Sequence, residues 1–260
     1  MQNKQYIVFI NDHSGSMNDL RQAAIKDYNR NIQAVVNAAN QEKLDTIVSV
    51  IDFGFDINPV KRTIVNSNPH VLNPISKWYV DCQTPLYDAI ADAIKLCKSL
   101  PDYTGDHVSF LLMITTDGQE NSSHLRARGI KSYIESLDSR WTIVCRVPPK
   151  SPDLSQIGIP KGNIQVWDTT NKGMEKSTKQ NEQALNTYFK ARSTGKTNSS
   201  SFYSNVEVET KLADKQAKET KALKANQARI IREKLANKKE ASLDALSIED
   251  LEKQLAELED

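Results

Sequence analysis

Asp12, Ser14 and Ser16 stand at every second position of Asn11-Asp-His-Ser-Gly-Ser-Met17, directly after the apolar run Tyr6–Ile10. One carboxylate and two hydroxyls presented together are donors of the kind a hard divalent cation prefers. Two later stretches carry chemistry of the same kind. Thr84-Pro85 follows an irregular connection, and Thr116-Asp117-Gly118 follows Val108–Thr115, the most apolar segment of the chain. Asp12, Ser14 and Ser16 are therefore candidate metal donors, and Thr84 and Asp117 stand in the two stretches to be read against them. Read alone, Asp12–Met17 is equally a turn in which a serine caps the next helix, because short motifs match by accident. His13, between two candidate ligands, is expected to point away from the ion, since the ligand positions alternate. Asp52, Asp56 and Asp88 could enlarge an acidic site, but surface or capping roles are the expectation.

Enzyme readings find less support. A nucleophilic serine would want Gly-x-Ser-x-Gly, which His13-Ser14-Gly15-Ser16 does not supply. No phosphate loop of the GxxxxGK[ST] or GxGxxG kind is present. A phosphatase or receiver-type site needs several carboxylates at the end of the first strand, where Asp12 stands alone. The expectation is a chain that binds rather than catalyses.

The elements that must position these residues follow from periodicity. Tyr6–Ile10 is a continuous apolar run, as in a strand covered on both faces. Leu20, Ala23, Ala24, Tyr28, Ile32, Val35, Val36 and Ala39 then recur at spacings of three and four, which predicts one long amphipathic helix ending near Asn40. Thr46–Phe53 reads as a second strand, and Ile57–Asn66, which contains Pro59, as an edge strand. Thr84-Pro85 predicts a helix start with Pro at its first position. Leu86, Ala89, Ile90, Ala93, Cys97 and Leu100 form its buried stripe. Val108–Thr115 reads as the central strand, Ile130–Leu137 as a helix, Thr142–Val147 and Ile164–Trp167 as strands, and Gly173–Arg192 as a closing helix. This alternation predicts an α/β fold: a doubly wound, mostly parallel sheet with one antiparallel edge strand. In such sheets ligands bind beyond the carboxyl ends of the strands, which is where Asp12 and Asp117 fall.

Asp12-x-Ser14-x-Ser16, Thr84 and Asp117 together resemble the metal-ion-dependent adhesion site of von Willebrand factor A domains, with all five positions filled in order. Thr-Pro-Leu-Tyr-Asp-Ala-Ile and Thr-Asp-Gly-Gln-Glu-Asn are similar to the family's usual surroundings for its Thr and Asp. The resemblance covers roughly residues 4–192. It departs where many members place glycines before the Thr and this chain has Asp81-Cys82-Gln83, which adds an acid near the site and removes no ligand. The resemblance implies Mg²⁺, with Mn²⁺ or Ca²⁺ as alternatives, bound directly by Ser14 and Ser16 and, in the ligand-ready state, by Thr84. Asp12 and Asp117 act directly or through water. Few anionic groups then touch the ion directly, which leaves it net positive character, so the implied mechanism is capture of a protein partner's Asp or Glu. The family's single-domain intracellular members, found in bacteria and phages and including tellurium-resistance-type ones, are similar to this chain. Others work beside AAA+ ATPases of the MoxR type, so an AAA+ ATPase or an assembly component is an implied partner.

With 260 residues, 38% hydrophobic and 26% charged, the chain has room for one α/β domain and an extension. Residues 1–195 hold 22 basic and 20 acidic side chains, and residues 196–260 hold 12 and 13. This near balance gives no electrostatic footprint for nucleic acid. No stretch approaches the roughly 18 apolar residues of a membrane span. The N-terminus is too short in apolar residues for a secretory signal, and Cys82, Cys97 and Cys145 show neither CxxC nor Cys/His ligand spacing. A cytoplasmic protein is expected.

The expected organisation is a domain over 1–195, a Ser-rich linker over 196–206 and a charged helical tail over 207–260. Within the tail, Lys211–Lys239 carries ten basic and three acidic residues, whereas Glu240–Asp260 carries one Lys and eight acids. Opposed charge blocks favour a helical hairpin or tail-mediated self-association, although each exposed ion pair contributes only about 0–1 kcal/mol. Ser247–Asp250 reads as a capping box ahead of a short seam of Ile248, Leu251, Leu255 and Leu258. The functional expectation is metal-dependent protein–protein binding, as an adaptor or assembly component. Its alternatives are a structural component assembled through the tail, with the metal site incidental, and a metal-dependent hydrolase.

Overall fold

Six strands, β1 (Lys4–Asp12), β2 (Asp45–Phe53), β3 (Val60–Ser67), β4 (Val108–Thr115), β5 (Trp141–Val147) and β6 (Ile164–Val166), form one sheet in the order β3-β2-β1-β4-β5-β6. β3 runs antiparallel to β2, and every other pair is parallel. Helices α1 (Arg21–Glu42) and α4 (Asn171–Ser193) share one core with Ile7, Phe9, Leu111, Met113 and Val144. On the other face, α2 (Leu86–Lys98) and α3 (Ala127–Glu135) share a second core with Val8, Ile10, Phe110, Leu112 and Cys145. Successive strand residues enter opposite cores, so the middles of β1 and β4, Tyr6–Ile10 and Phe110–Ile114, are apolar at every position rather than at alternate ones. Phe110, Leu111 and Leu112 are fully buried, each side chain contributing about 1.5–3 kcal/mol of transfer free energy.

The computed structural model describes residues 3–117, 120–204, 220–234, 252–253 and 255–257. By its internal contacts the chain divides into Met1–Val206 and Glu207–Asp260. In the first unit, Phe202 and Tyr203 are buried in the α1/α4 core, where the Tyr203 hydroxyl donates to Asn181 Oδ1 over 2.8 Å. In the second, residues 220–234 are helical. The capping box lies outside the described residues, as do Leu251 and Leu258 of the seam. No described helix is long and apolar enough to cross a membrane.

Three details differ from the sequence expectation. A 3-10 turn, Gly15–Leu20, intervenes between the serines and α1. The edge strand begins at Val60 rather than Ile57, because Asn58 takes a left-handed φ of 59°, which a short polar side chain tolerates. Pro85 precedes the first helical residue instead of occupying it, and neither its side chain nor that of Thr84 caps α2. The Thr84 backbone is engaged elsewhere, as described below.

Strand order reverses between β1 and β4. From β1 the chain builds outward to β2 and β3, then crosses to β4, β5 and β6 on the other side. Asn11 lies opposite Thr115, so Asp12 and Thr116–Asp117 emerge side by side at the crevice where open α/β sheets bind ligands.

Candidate metal centre

Asp12 is the last residue of β1 and is fully buried. Its Oδ1 accepts the Ser14 amide over 2.7 Å, and its Oδ2 accepts the Thr116 hydroxyl. These bonds fold the Asp-x-Ser-x-Ser turn back over the strand end. Ser14 and Ser16 hydroxyls stand 3.1 Å apart, and Ser16 Oγ donates to Asp117 Oδ1 over 2.7 Å. Four of the five candidates, from two loops, are thus joined by direct bonds or through a shared hydroxyl. Ser14 is buried and Ser16 exposed, so the cluster opens on one side.

Thr84 arrives on a third loop. Among the described residues its side chain makes no hydrogen bond to the other four candidates, but its backbone is clamped. Asn121 Oδ1 accepts the Thr84 amide over 2.8 Å, and the Asn121 amide donates to the Thr84 carbonyl over 3.2 Å. The preceding residues are tied to the serine turn, with Asp81 N donating to His13 O over 2.8 Å and Cys82 N to Gly54 O over 3.1 Å. Gly54 is the wedge between the loops. Its φ is +109°, and a Cβ there would sit 2.6 Å from the Ser14 nitrogen and 3.1 Å from the Gln83 carbonyl oxygen. Only glycine combines that conformation with that approach.

Burial pushes the Asp12 carboxyl up from its ordinary value, against the lowering bonds from Ser14 and Thr116. Asp117 is pushed up to about 6, first by burial and then by the nearby Asp12 charge, with the Ser16 bond opposing. Among the described residues, no cluster of three His, Cys, Asp or Glu side chains could hold a metal. The donor set is instead hydroxyls with two carboxylates, all oxygen. That suits Mg²⁺, which keeps several waters and needs few protein ligands, and it does not suit a cation requiring nitrogen or sulfur donors. On this chemistry the residues present fit a hard divalent ion.

The neighbours sort themselves clearly. His13 is turned away from the cluster: its ring stacks on Trp78 at 4.2 Å and 8° and lies 5.1 Å from the Phe55 ring. Its Nδ1 is 2.6 Å from the Tyr79 carbonyl oxygen and its Nε2 is 3.3 Å from Asp52 Oδ1. Asp52 corrects the expectation of a surface or capping role. It is buried and accepts from Asn11 Nδ2 over 3.0 Å and Thr63 Oγ1 over 2.5 Å. Burial alone would raise its carboxyl, but His13 and these donors hold it below its ordinary value. Asp88 caps neither helix: from the first turn of α2 it accepts the His124 and Leu125 amides and so ties down the loop ahead of α3. The Asp81 carboxylate is taken by the Asp56 amide over 2.9 Å, so it does not reach toward the serines.

No protein-family model and no curated protein matches the chain. Solved structures do. The pilus adhesin SpaC from Lactobacillus rhamnosus GG, in its open conformation, superposes with a TM-score of 0.55 at 10% identity, over 73% of this chain and 30% of that one. A von Willebrand factor type A structure from Catenulispora acidiphila gives 0.47 at 14%, over 71% and 43%. Proximal thread matrix protein 1 from the mussel byssus, with zinc in its own adhesion-site motif, gives 0.48 at 15%, over 72% and 46%. The superposition on the adhesin shows a shared α/β fold, a mostly parallel sheet between helix layers. This chain spans less than half the length of each of these three chains, and at such identities the likeness is one of fold.

Within this α/β fold, two residues that hold the site escaped the sequence reading. Thr116 was passed over beside Asp117, although a hydroxyl next to a strand-end acid is a ready partner for a second acid. Asn121 lies in the run Glu120-Asn121-Ser122 and carries no signal that it would reach Thr84. A cleft of about 580 Å³ opens elsewhere, between α1 and α4, lined by Lys26, Arg30, Asn171, Lys172 and Glu175 among others. None of the five candidate ligands lines it, and an ion held by short side chains and water needs no enclosed cavity.

Proposed function

We propose that the chain is a Mg²⁺-dependent protein-binding module, an adaptor that captures a carboxylate of its partner at an intact adhesion site. The observation that carries this reading is the bonded cluster Asp12–Ser14–Ser16–Asp117, open on the Ser16 side and bringing two buried or half-buried carboxyls together with two hydroxyls. Ser14, Ser16 and Thr84 would hold the ion with Asp12 and Asp117. Held directly mainly by neutral hydroxyls and water, the ion would keep positive character on its open side, and a partner's Asp or Glu would complete its coordination. In this reading Asp12 orients the Ser14 amide and the serine turn, while Asp117 fixes the rotamer of Ser16. The chain does no covalent chemistry. Its setting would be the cytoplasm, in the manner of the single-domain tellurium-resistance-type members that its motifs resemble, with an AAA+ ATPase or an assembly component as partner.

Purified chain carrying a tag and loaded with Mg²⁺ or Mn²⁺ should retain its partner, release it in EDTA and fail to bind it as the Asp12→Ala variant. Retention of every partner in EDTA would overturn the metal-bridged mechanism.

A further inference from the structure

We infer that Arg146 is a positioning residue that fixes the end of β4 against α1, the helix behind the serine turn, with Asp27 as its anchor. The inference rests on the metal-site reading above and adds what holds that site in shape. Arg146 belongs to β5, a strand that contributes no candidate ligand, and it is buried. It lies in the row Thr142-x-Val144-x-Arg146, whose Val144 faces the α1/α4 core. Its Nη1 donates to Asp27 Oδ1 over 2.7 Å, and its Nη2 donates both to Asp27 Oδ2 over 2.6 Å and to Thr115 Oγ1 over 2.5 Å. Its backbone carbonyl accepts the amide of Thr116 over 3.1 Å. Thr116 in turn donates its hydroxyl to Asp12.

Each contact ends on a segment carrying a candidate ligand. Thr115 and Thr116 lead directly into Asp117. Asp27 stands on α1, the helix into which the Ser14–Ser16 turn runs without a break. Asp27 is itself fixed from α4 by Thr178 Oγ1 over 2.5 Å and from its own helix by Asn31 Nδ2 over 3.1 Å. Arg146 therefore grips the end of β4 through side chain and main chain at once, and grips the helix behind the serine turn through a bidentate pair.

Stability alone does not account for this. A buried ion pair is weak evidence for stability, since well-packed apolar residues in its place are often as good or better. What an apolar pair cannot do is hold a third group at a set angle. The planar guanidinium can, presenting several donors in a rigid fork. Groups that orient metal ligands from behind typically change metal affinity by about 10- to 100-fold when removed.

The experiment compares Mn²⁺ affinity, by calorimetry or electron paramagnetic resonance, with metal-free melting temperature in three proteins: wild type, Thr115→Val, and the double variant Asp27→Leu/Arg146→Met. Thr115→Val cuts only the side-chain link to β4, leaving the Thr116 main-chain bond and the ion pair intact. The double variant removes both charges together, so neither is stranded. The expected result is wild-type-like melting in both variants, with Mn²⁺ affinity lowered by about tenfold or more. Unchanged Mn²⁺ affinity in both variants would show that the pair is only packing and overturn the inference. Absence of Mn²⁺ binding in the wild type is a different failure, one that removes the metal-site reading itself. Amide exchange of Thr116 in the metal-free protein gives a second readout, expected to accelerate in both variants.

Discussion

Ser16 and Asp117 are 101 residues apart in the chain, yet the hydroxyl of one donates to the carboxylate of the other over 2.7 Å. That bond joins the loop after β1 to the loop after β4, and the two strands are sheet neighbours only because the chain reverses its strand order between them. It also leaves an acid that burial has raised, beside a second raised acid, at an edge open to solvent.

Metal should relieve that arrangement. At a free Mg²⁺ or Mn²⁺ concentration of 100 times the dissociation constant, binding should add about 2.7 kcal/mol of stability. Ser16→Ala and Asp117→Ala should each lose most of this increment while remaining folded in the absence of metal. Thermal melts with metal and with EDTA read it directly, and a wild-type melt indifferent to millimolar metal would contradict the site.

The same acid sets a pH dependence. Asp117 has a folded-state carboxyl pushed up to about 6 from 3.8, so the metal-free native state binds its proton more tightly than the unfolded chain does. Its contribution then favours folding as pH falls through 6 toward 4, and disfavours it above 6. Metal needs the carboxylate, so protons compete and the metal-induced shift in melting temperature should shrink below about pH 6. Asp117→Asn should flatten both trends across melts at a series of pH values.

Gly54→Ala tests the wedge between the ligand loops. A methyl group 2.6 Å from the Ser14 nitrogen at φ +109° should destabilise the fold by about 1–3 kcal/mol, measured by urea denaturation. It should also weaken Mn²⁺ binding, because the Ser14 and Gln83 backbones must separate to admit it.

Asn121→Ala should act differently. It removes the acceptor of the Thr84 amide, a loss of about 1 kcal/mol for a single hydrogen bond, but frees the loop that carries the third hydroxyl. A larger fall in metal affinity than in stability is the expected signature, read by titrating Mn²⁺ into variant and wild type.

The comparison of sequence with structure turns on where each residue finds its partner. Val108–Thr115 was legible to the residue because a strand sandwiched between two helix layers is apolar at every position through its middle, and nothing distant is needed to see it. Thr84-Pro85 was read as a helix start because that pairing is usually local. Asn121, 37 residues on, claims the Thr84 backbone instead. Asp52 reads as a surface or capping acid because a lone carboxylate is usually hydrated or bound at a helix start. Asn11, Thr63 and His13 replace that water, and none of the three is marked in sequence as its neighbour.

By itself the sequence determined the layered α/β architecture and which strand ends carry oxygen donors, since periodicity and composition record which faces a segment buries. Tertiary structure alone decided how those donors meet. It set the Ser16–Asp117 bond, the clamp of Asn121 on Thr84, the wedge at Gly54 and the grip of Arg146 on the ends of the site. These are contacts between groups far apart in the chain, and a hydrogen bond depends on distance and angle, which one-dimensional spacing does not encode.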